Sequence, residues 1–256
     1  MSRRAGISPS EDRRWVFNRL AGDYGARPPY PAALADRLAA LAGGPGARVA
    51  DLGAGVGHLA LPLAARGLQV TAIEPARAML TALEGSARAA GLAVVPAHAT
   101  AEATGLPTGS CALVVIADAL QWIDPAAGAA EVRRLLAPGA ALAVVTARPA
   151  DTPFLRALAA RIAARNPKAR PRPPPTELFF SLAGLPAPSV EALADEETSL
   201  SPGALEAVLR SLSYVGPALG PAEIETLLDE AHDLAAAHGG AAWSRELRLA
   251  WARRPR

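Results

Sequence analysis

The apolar positions of this chain change period several times, and each change marks an element. Trp15, Val16, Phe17 and Leu20 recur at helical spacing, which predicts a helix opening at Ser8-Pro9 and stopping near Gly22. Arg27-Pro28-Pro29-Tyr30-Pro31 reads as a stiff connector, because proline fixes φ and blocks helix continuation. Leu34, Leu38 and Leu41 stripe one face of a second helix that ends on Gly43-Gly44. Arg48 to Leu52 and Leu68 to Glu74 are short strand-like runs, with a helix from Gly57 to Gly67 between them. Ala76 to Ala90 reads as helix, Leu92 to Pro96 as a short third strand, and Leu106 to Ser110 as a turn. Ala112 to Ala117 is unbroken apolar sequence, as suits a parallel strand covered on both faces. Asp124-Pro125 supplies an N-cap and first helical residue; Ala137-Pro138-Gly139 ends that helix, and Ala141 to Thr146 is a fifth strand.

Strand and helix thus alternate through residue 146. The expected fold class is α/β: a doubly wound, mostly parallel, seven-stranded Rossmann-like sheet with helices on both faces and a helical cap. Beyond that point the pattern loosens. Asn166 to Thr176 carries five prolines and reads as an extended surface loop. Val190 to Thr198 is expected as a sixth strand, 202–212 and 221–238 as helices, and Trp243 to Ala252 as a final strand. Residues 1–47 form an N-terminal helical lid in this reading, 48–150 the ligand-binding core, and 151–256 cap helices plus strands that complete the sheet.

Composition narrows the partners. A chain of 256 residues fits one large domain or a domain with a cap, and 51% apolar residues suffice for its core. The net charge of +2 gives no basic face, so nucleic acid is not expected. The N-terminal segment is polar and no uninterrupted apolar stretch is long enough to span a bilayer; the expectation is a cytoplasmic protein with no membrane partner. Cys111 has no second cysteine to pair with and sits beside an apolar run, as a buried inert thiol would. His232 and His238 lack metal-ligand spacing on a helix, so no metal is expected. The assembly expected is a monomer or homodimer.

The chemistry concentrates at Val49 to His58, where a buried strand breaks into a glycine-rich turn and enters a helix. The next strand ends on Glu74, a carboxylate able to accept from both hydroxyls of a ribose. Dinucleotide-binding turns favour G-x-G-x-x-G, but here the glycines stand at 53, 55 and 57, and His58 takes the place of the third. Asp51 lies two residues before the turn. A carboxylate there suits a ligand bearing an ammonium group better than one bearing phosphates, which favours S-adenosylmethionine over NAD. His58 is read as a packing or hydrogen-bonding group, its protonation disfavoured at a helix start.

Taken together, the Arg27–Pro31 connector, the Asp51–Gly57 loop, Ile73-Glu74-Pro75, Glu102 with Leu106-Pro107, Ala119-Leu120-Gln121-Trp122, Glu131 to Gly139 and Arg210 to Tyr214 resemble the class I S-adenosylmethionine-dependent methyltransferases. The likeness is nearest to the trans-aconitate and quinone-pathway small-molecule methyltransferases. It implies S-adenosylmethionine as methyl donor, with Asp51, Gly53, Ala54 and Gly55 around its methionine part, Glu74 on the ribose and Pro75 beside the adenine. It also implies that the Thr100-Ala101-Glu102 turn meets the adenine edge, and that Ala117 and Asp118 pass near the sulfonium. Glu102 either accepts from the adenine or caps the following turn. The N-terminal connector would fold over the cofactor, with Tyr24 and Tyr30 closing on it or packing beneath.

Gln121 and Trp122 follow the fourth strand at the mouth of the expected pocket, and Trp122 is either a wall of that pocket or core. Tyr214 belongs to a segment that would cap it. Asp124 is read as a helix cap. Gln121 cannot titrate near neutrality, so no imidazole-type base acts there. With no evident base, the acceptor expected is a small molecule offering a carboxylate, enol or phenol oxygen, aligned by Arg148 or Arg210. The rival readings are another S-adenosylmethionine-binding enzyme on the same scaffold (a cyclase or decarboxylase), an NAD-dependent oxidoreductase, and a partner subunit without turnover.

Overall fold

The computed structural model describes residues 16–167 and 175–256. At its centre are β1 (Arg48–Leu52), β2 (Gln69–Ile73), β3 (Val94–Ala97), β4 (Cys111–Ala117), β5 (Leu136–Pro149), β6 (Ser189–Leu193) and β9 (Arg245–Arg253). They form one seven-stranded sheet in the order β3-β2-β1-β4-β5-β9-β6. Strands β3 to β5 are parallel, whereas β9 runs antiparallel to both β5 and β6. The strand order reverses between β1 and β4, and in open α/β sheets ligands bind beyond the carboxyl ends of the strands at that point.

Alternate residues of each strand face opposite layers. On one side Ala50, Leu52, Val114, Ile116, Leu142 and Val144 pack against α5 (Pro125–Leu135) and the Phe179-Phe180 pair of α7 (Thr176–Leu182). On the other, Val49, Val70, Leu113, Val115 and Ala143 pack against α2 (Ala32–Ala42) and the one-turn α3 (Ala60–Ala64). Helix α4 (Arg77–Ala89) follows β2 and carries α1 (Phe17–Tyr24), with Leu20, Val56, Ala76 and Met79 buried between them. The cap has a core of its own. It is built from α6 (Pro153–Arg165), α8 (Pro202–Ser211), α9 (Pro221–Ala237) and a separate two-stranded sheet of β7 (Thr198–Leu200) and β8 (Ala241–Trp243).

The sequence reading of the sheet holds in class, strand number and mostly parallel direction, with corrections in detail. The first helix runs to Tyr24 rather than stopping near Gly22, and its expected start lies outside the described residues. Most of the proline-rich loop also lies outside them. The helix expected over 57–67 shrinks to Ala60–Ala64, because Gly57 at φ +94° cannot begin it. The strand expected over Val190 to Thr198 is two strands in different sheets, and the one expected over Trp243 to Ala252 breaks at Ser244 for the same reason. Asp124 caps α5 as expected, its side chain accepting from the N–H groups of Ala126 and Ala127.

Candidate active site

The end of β1 and the loop after it form the floor of the crevice. Gly53 sits at φ +77°, and a Cβ added there would come 2.6 Å from the Cβ of Ala119 in the loop after β4. The two loops therefore touch backbone to side chain, and only glycine fits. The N–H groups of Gly53 and Ala54 both donate to the Ile73 carbonyl, at 2.8 and 3.1 Å, which folds the loop against the end of β2. Gly53→Ala is expected to lower stability by about 2 kcal/mol, from the left-handed conformation and the overlap together. Urea unfolding measures this, and an unchanged midpoint would contradict it.

Glu74 lies at the same end and is buried, at 6% exposure. Its Oε2 accepts from Gly55 N–H at 3.0 Å and its Oε1 from Ala76 N–H at 2.9 Å, so the carboxylate is held edge-on to the loop. Burial pushes its pKa up, while those two N–H groups hold it down. Asp51 is buried deeper, on β1 between Ala72 and Val115 of the neighbouring strands. Its pKa is pushed up to about 7, first by burial and then by the charge of Glu74, against a hydrogen bond from the Ala60 backbone. Its Oδ2 is buried without a hydrogen-bond partner. An orphaned carboxylate oxygen beneath a glycine loop fits a ligand that brings a positive charge and N–H donors.

Thr100, Ala101 and Glu102 form the facing wall. Glu102 accepts from Asp124 N–H at 2.9 Å, so it caps the following turn. The wall is anchored to α5 through Glu131, which accepts from both the N–H and the hydroxyl of Thr104 and pairs with Arg134 at 2.7 Å. Arg134 above all, and then Thr104, pull the Glu131 pKa down to about 2 from its ordinary 4.5. A depressed carboxylate stabilises the fold above its unfolded pKa and loses that contribution as pH falls through the folded one. Stability is therefore expected to drop between pH 4.5 and 2 by about 2 kcal/mol more in the parent protein than in Glu131→Gln, a difference that thermal melts across this range would read.

The roof comes from the connector and the cap. Phe17 of α1 meets Trp122 edge-on with ring centroids 5.2 Å apart, and Tyr24 stacks on His58 at 5.9 Å. Arg27 lies 4.0 Å over the Tyr24 ring, donates to the Tyr24 hydroxyl, and reaches Ser211 of the cap through Oγ at 2.9 Å and the carbonyl at 2.7 Å. The Tyr30 hydroxyl donates to Asp118 Oδ2 at 2.7 Å, and Ala147 N–H donates to Oδ1 at 2.8 Å. From β9, Arg245 donates to the carbonyls of Pro28 and Pro29 while paired with the buried Asp195 at 2.7 Å. Burial above all, with the charges of Arg27 and Arg245, lowers His58 to about 4. His58 is thus neutral at physiological pH, and burial rather than a helix end is the main cause.

These elements enclose a cleft with about 620 Å³ of space free of protein atoms, part of it open to solvent. Of the residues expected from sequence, Gly53, Gly55, Glu74, Pro75, Thr100, Ala101, Glu102, Ala117, Asp118, Trp122 and Tyr24 line it. Asp51 and Ala54 lie buried beneath. Phe17, Met79, Ala119 and Ile123 complete the lining. Gln121, Tyr214, Arg148 and Arg210 are not part of it. Gln121 turns back to the Asp118 carbonyl at 2.7 Å. Arg210 is paired with Glu225 of α9 at 2.9 Å. Arg148 is exposed on the far extension of β5, opposite Glu246. No arginine lines the cleft among the described residues, so the expected alignment of an anionic acceptor by Arg148 or Arg210 is replaced by a wall of aromatic rings and carboxylates.

A doubly wound sheet with a carboxylate-flanked glycine turn at its switch point, a second buried acid at the end of the next strand and a roofed cleft is the architecture of a nucleotide-binding enzyme of the class I methyltransferase type. Residues 50–144 match the methyltransferase domain family. An uncharacterised methyltransferase of Mycobacterium tuberculosis is 35% identical over 242 residues, which is 93% of each chain. A candidate type II methyltransferase from Anaeromyxobacter dehalogenans superposes with a TM-score of 0.63 at 26% identity, over 90% of this chain and 97% of that one. A phosphoethanolamine N-methyltransferase of Haemonchus contortus, solved with S-adenosylhomocysteine, shares the fold at 15% identity and a TM-score of 0.59, over 100% of this chain and 62% of that one. The chain belongs to the methyltransferase family: it is an S-adenosylmethionine-dependent methyltransferase.

Proposed function

We propose that this enzyme transfers the methyl group to an oxygen atom of a small molecule. The observation that carries the reading is the roof. Tyr30, Arg27 and Arg245 tie the connector to the sheet and the cap, which leaves a cleft sized for a small acceptor. The floor fits the donor: Glu74 would hold the ribose diol, Asp51 the ammonium group through its unpartnered oxygen, and the Thr100–Glu102 wall the adenine edge. When bound, S-adenosylmethionine supplies a methyl on a sulfonium, a good leaving group. The work left to the protein is alignment and exclusion of water. Phe17, Tyr24 and Trp122 serve both ends, as rigid apolar walls.

Incubation with deuteromethyl-labelled S-adenosylmethionine and a panel of phenols, enols, alcohols, carboxylic acids and amines tests the reading. Mass spectrometry should place the label on oxygen. Label found only on nitrogen or carbon would refute the oxygen assignment.

A further inference from the structure

We propose that Asp118 is a catalytic residue which receives the hydroxyl of the acceptor and takes its proton, and that Tyr30 is the positioning residue that aims it. The inference rests on the oxygen-acceptor reading above and adds a group to it. Asp118 stands at the carboxyl end of β4, at the strand-order reversal, and lines the cleft between Ala117 and Ala119. It is the sole non-glycine residue with positive φ (49°) among the described residues. A non-glycine residue in the left-handed region is uncommon, and aspartate is among those that adopt it most readily; such residues cluster at functional sites.

What imposes it is visible. The carboxylate is gripped from two sides, by Ala147 N–H from β5 and by the Tyr30 hydroxyl from the connector. A carboxylate oxygen accepts two hydrogen bonds, so each oxygen keeps a site for the acceptor. The other acids of the lining stand on other elements, Glu74 against the glycine loop with Gly55 and Ala76, and Glu102 in the turn that it joins to Asp124. The neighbouring imidazole, His58, does not line the cleft. The groups facing Asp118 are Tyr24 from α1, Tyr30 and Arg27 from the connector and Arg245 from β9. Burial raises its pKa, and the Ala147 N–H, Tyr30 and the two arginines oppose that rise. The result is a carboxylate made more basic than usual yet supported in its charged form.

The step balances. Asp118 takes the hydroxyl proton, the freed oxygen pair forms the new O–C bond, and the pair of the broken C–S bond stays on sulfur. One positive and one negative charge are consumed together.

The probes are phenol, benzyl alcohol and enolic 1,3-cyclohexanedione, with benzoate as an acceptor that has no proton to lose at neutral pH. Asp118→Asn is expected to lower kcat on the hydroxyl probes by about 100-fold, as loss of a general base does, and to change kcat on benzoate by less than about tenfold, since benzoate has no proton to give up. Affinity for S-adenosylhomocysteine should stay within about threefold, while phenol binding to the S-adenosylhomocysteine-loaded protein weakens at least tenfold. Tyr30→Phe should lower kcat about tenfold and move the acidic limb of the pH profile upward, because a donor to the charged form is lost. Parent kcat on the hydroxyl probes in Asp118→Asn overturns the inference alone. Absence of any hydroxyl methylation by the parent protein, with S-adenosylhomocysteine still bound, overturns the oxygen-acceptor reading and this inference with it. Should Asp118→Asn fail to fold, the parent enzyme decides: a flat kcat profile for benzyl alcohol between pH 5 and 9 overturns the assignment, and an acidic limb absent with benzoate supports it.

Discussion

Glu74→Ala is expected to weaken S-adenosylhomocysteine binding several hundredfold, about 3.5 kcal/mol, as measured by isothermal titration calorimetry. In the proposed pose two hydrogen bonds from ribose hydroxyls to an ionised acceptor would account for most of that, each worth about 1.5–3 kcal/mol. The rest comes from the loop. Without its carboxylate, Gly55 N–H and Ala76 N–H lose their acceptor, and the loop must be held by Ile73 alone. Glu74→Gln keeps the shape and one acceptor oxygen, so its loss should be about tenfold. Parent affinity in Glu74→Ala would mean that the ligand sits elsewhere.

Binding is also expected to release a proton. Asp51 has its folded pKa raised to about 7 from an ordinary 3.8, so the sign runs opposite to that of Glu131. Below pH 3.8 the group is neutral in both states and has no effect. Between there and pH 7 the unfolded chain ionises while the folded protein keeps its proton, and stability falls by up to about 1.4 kcal/mol per pH unit, roughly 4 kcal/mol in all. A bound ammonium group requires the ionised form. Affinity for S-adenosylhomocysteine should therefore rise about tenfold per unit from pH 5 to 7 and level off above. Calorimetry at pH 6 in buffers of different ionisation enthalpy should show about one proton leaving per ligand bound. Asp51→Asn should abolish that release and make the free protein more stable at pH 8. Proton-neutral binding at pH 6 would refute the role given to Asp51.

The first half of the fold was legible because local signals there agree with the tertiary outcome. Strand β1 lies where the apolar run places it, Arg48–Leu52, since a buried strand ending on a glycine has little freedom. Glu74 and the cap at Asp124 were legible for the same reason, one residue type at one forced position. Helices α6 and α7 were not foreseen. Helix α6 is alanine- and arginine-rich with little contrast between its faces, and α7 is a two-turn helix after prolines. The arginines show a different limit. Arg27 meets Ser211, and Arg245 meets Pro28, across most of the chain, and no spacing encodes such pairings. Arg148 was placed at a strand end, but β5 continues through Pro149 in partnership with β9 and carries it past the crevice. Arg210 was placed by its neighbourhood to Tyr214, yet the last turn of α8 faces α9.

The clasp of Arg245 on the two proline carbonyls bears on how the enzyme is made. Strand β9 slots between β5 and β6 and brings Arg245 to residues 28 and 29, the first of them 217 residues earlier in the chain. On the ribosome the floor can form once β4 has emerged, with Asp118 then in place for Tyr30, but the Arg245 clasp on the connector waits for β9. A nascent chain should therefore acquire nucleoside affinity early and retention late, so that slow departure of the ligand reports the docking of β9.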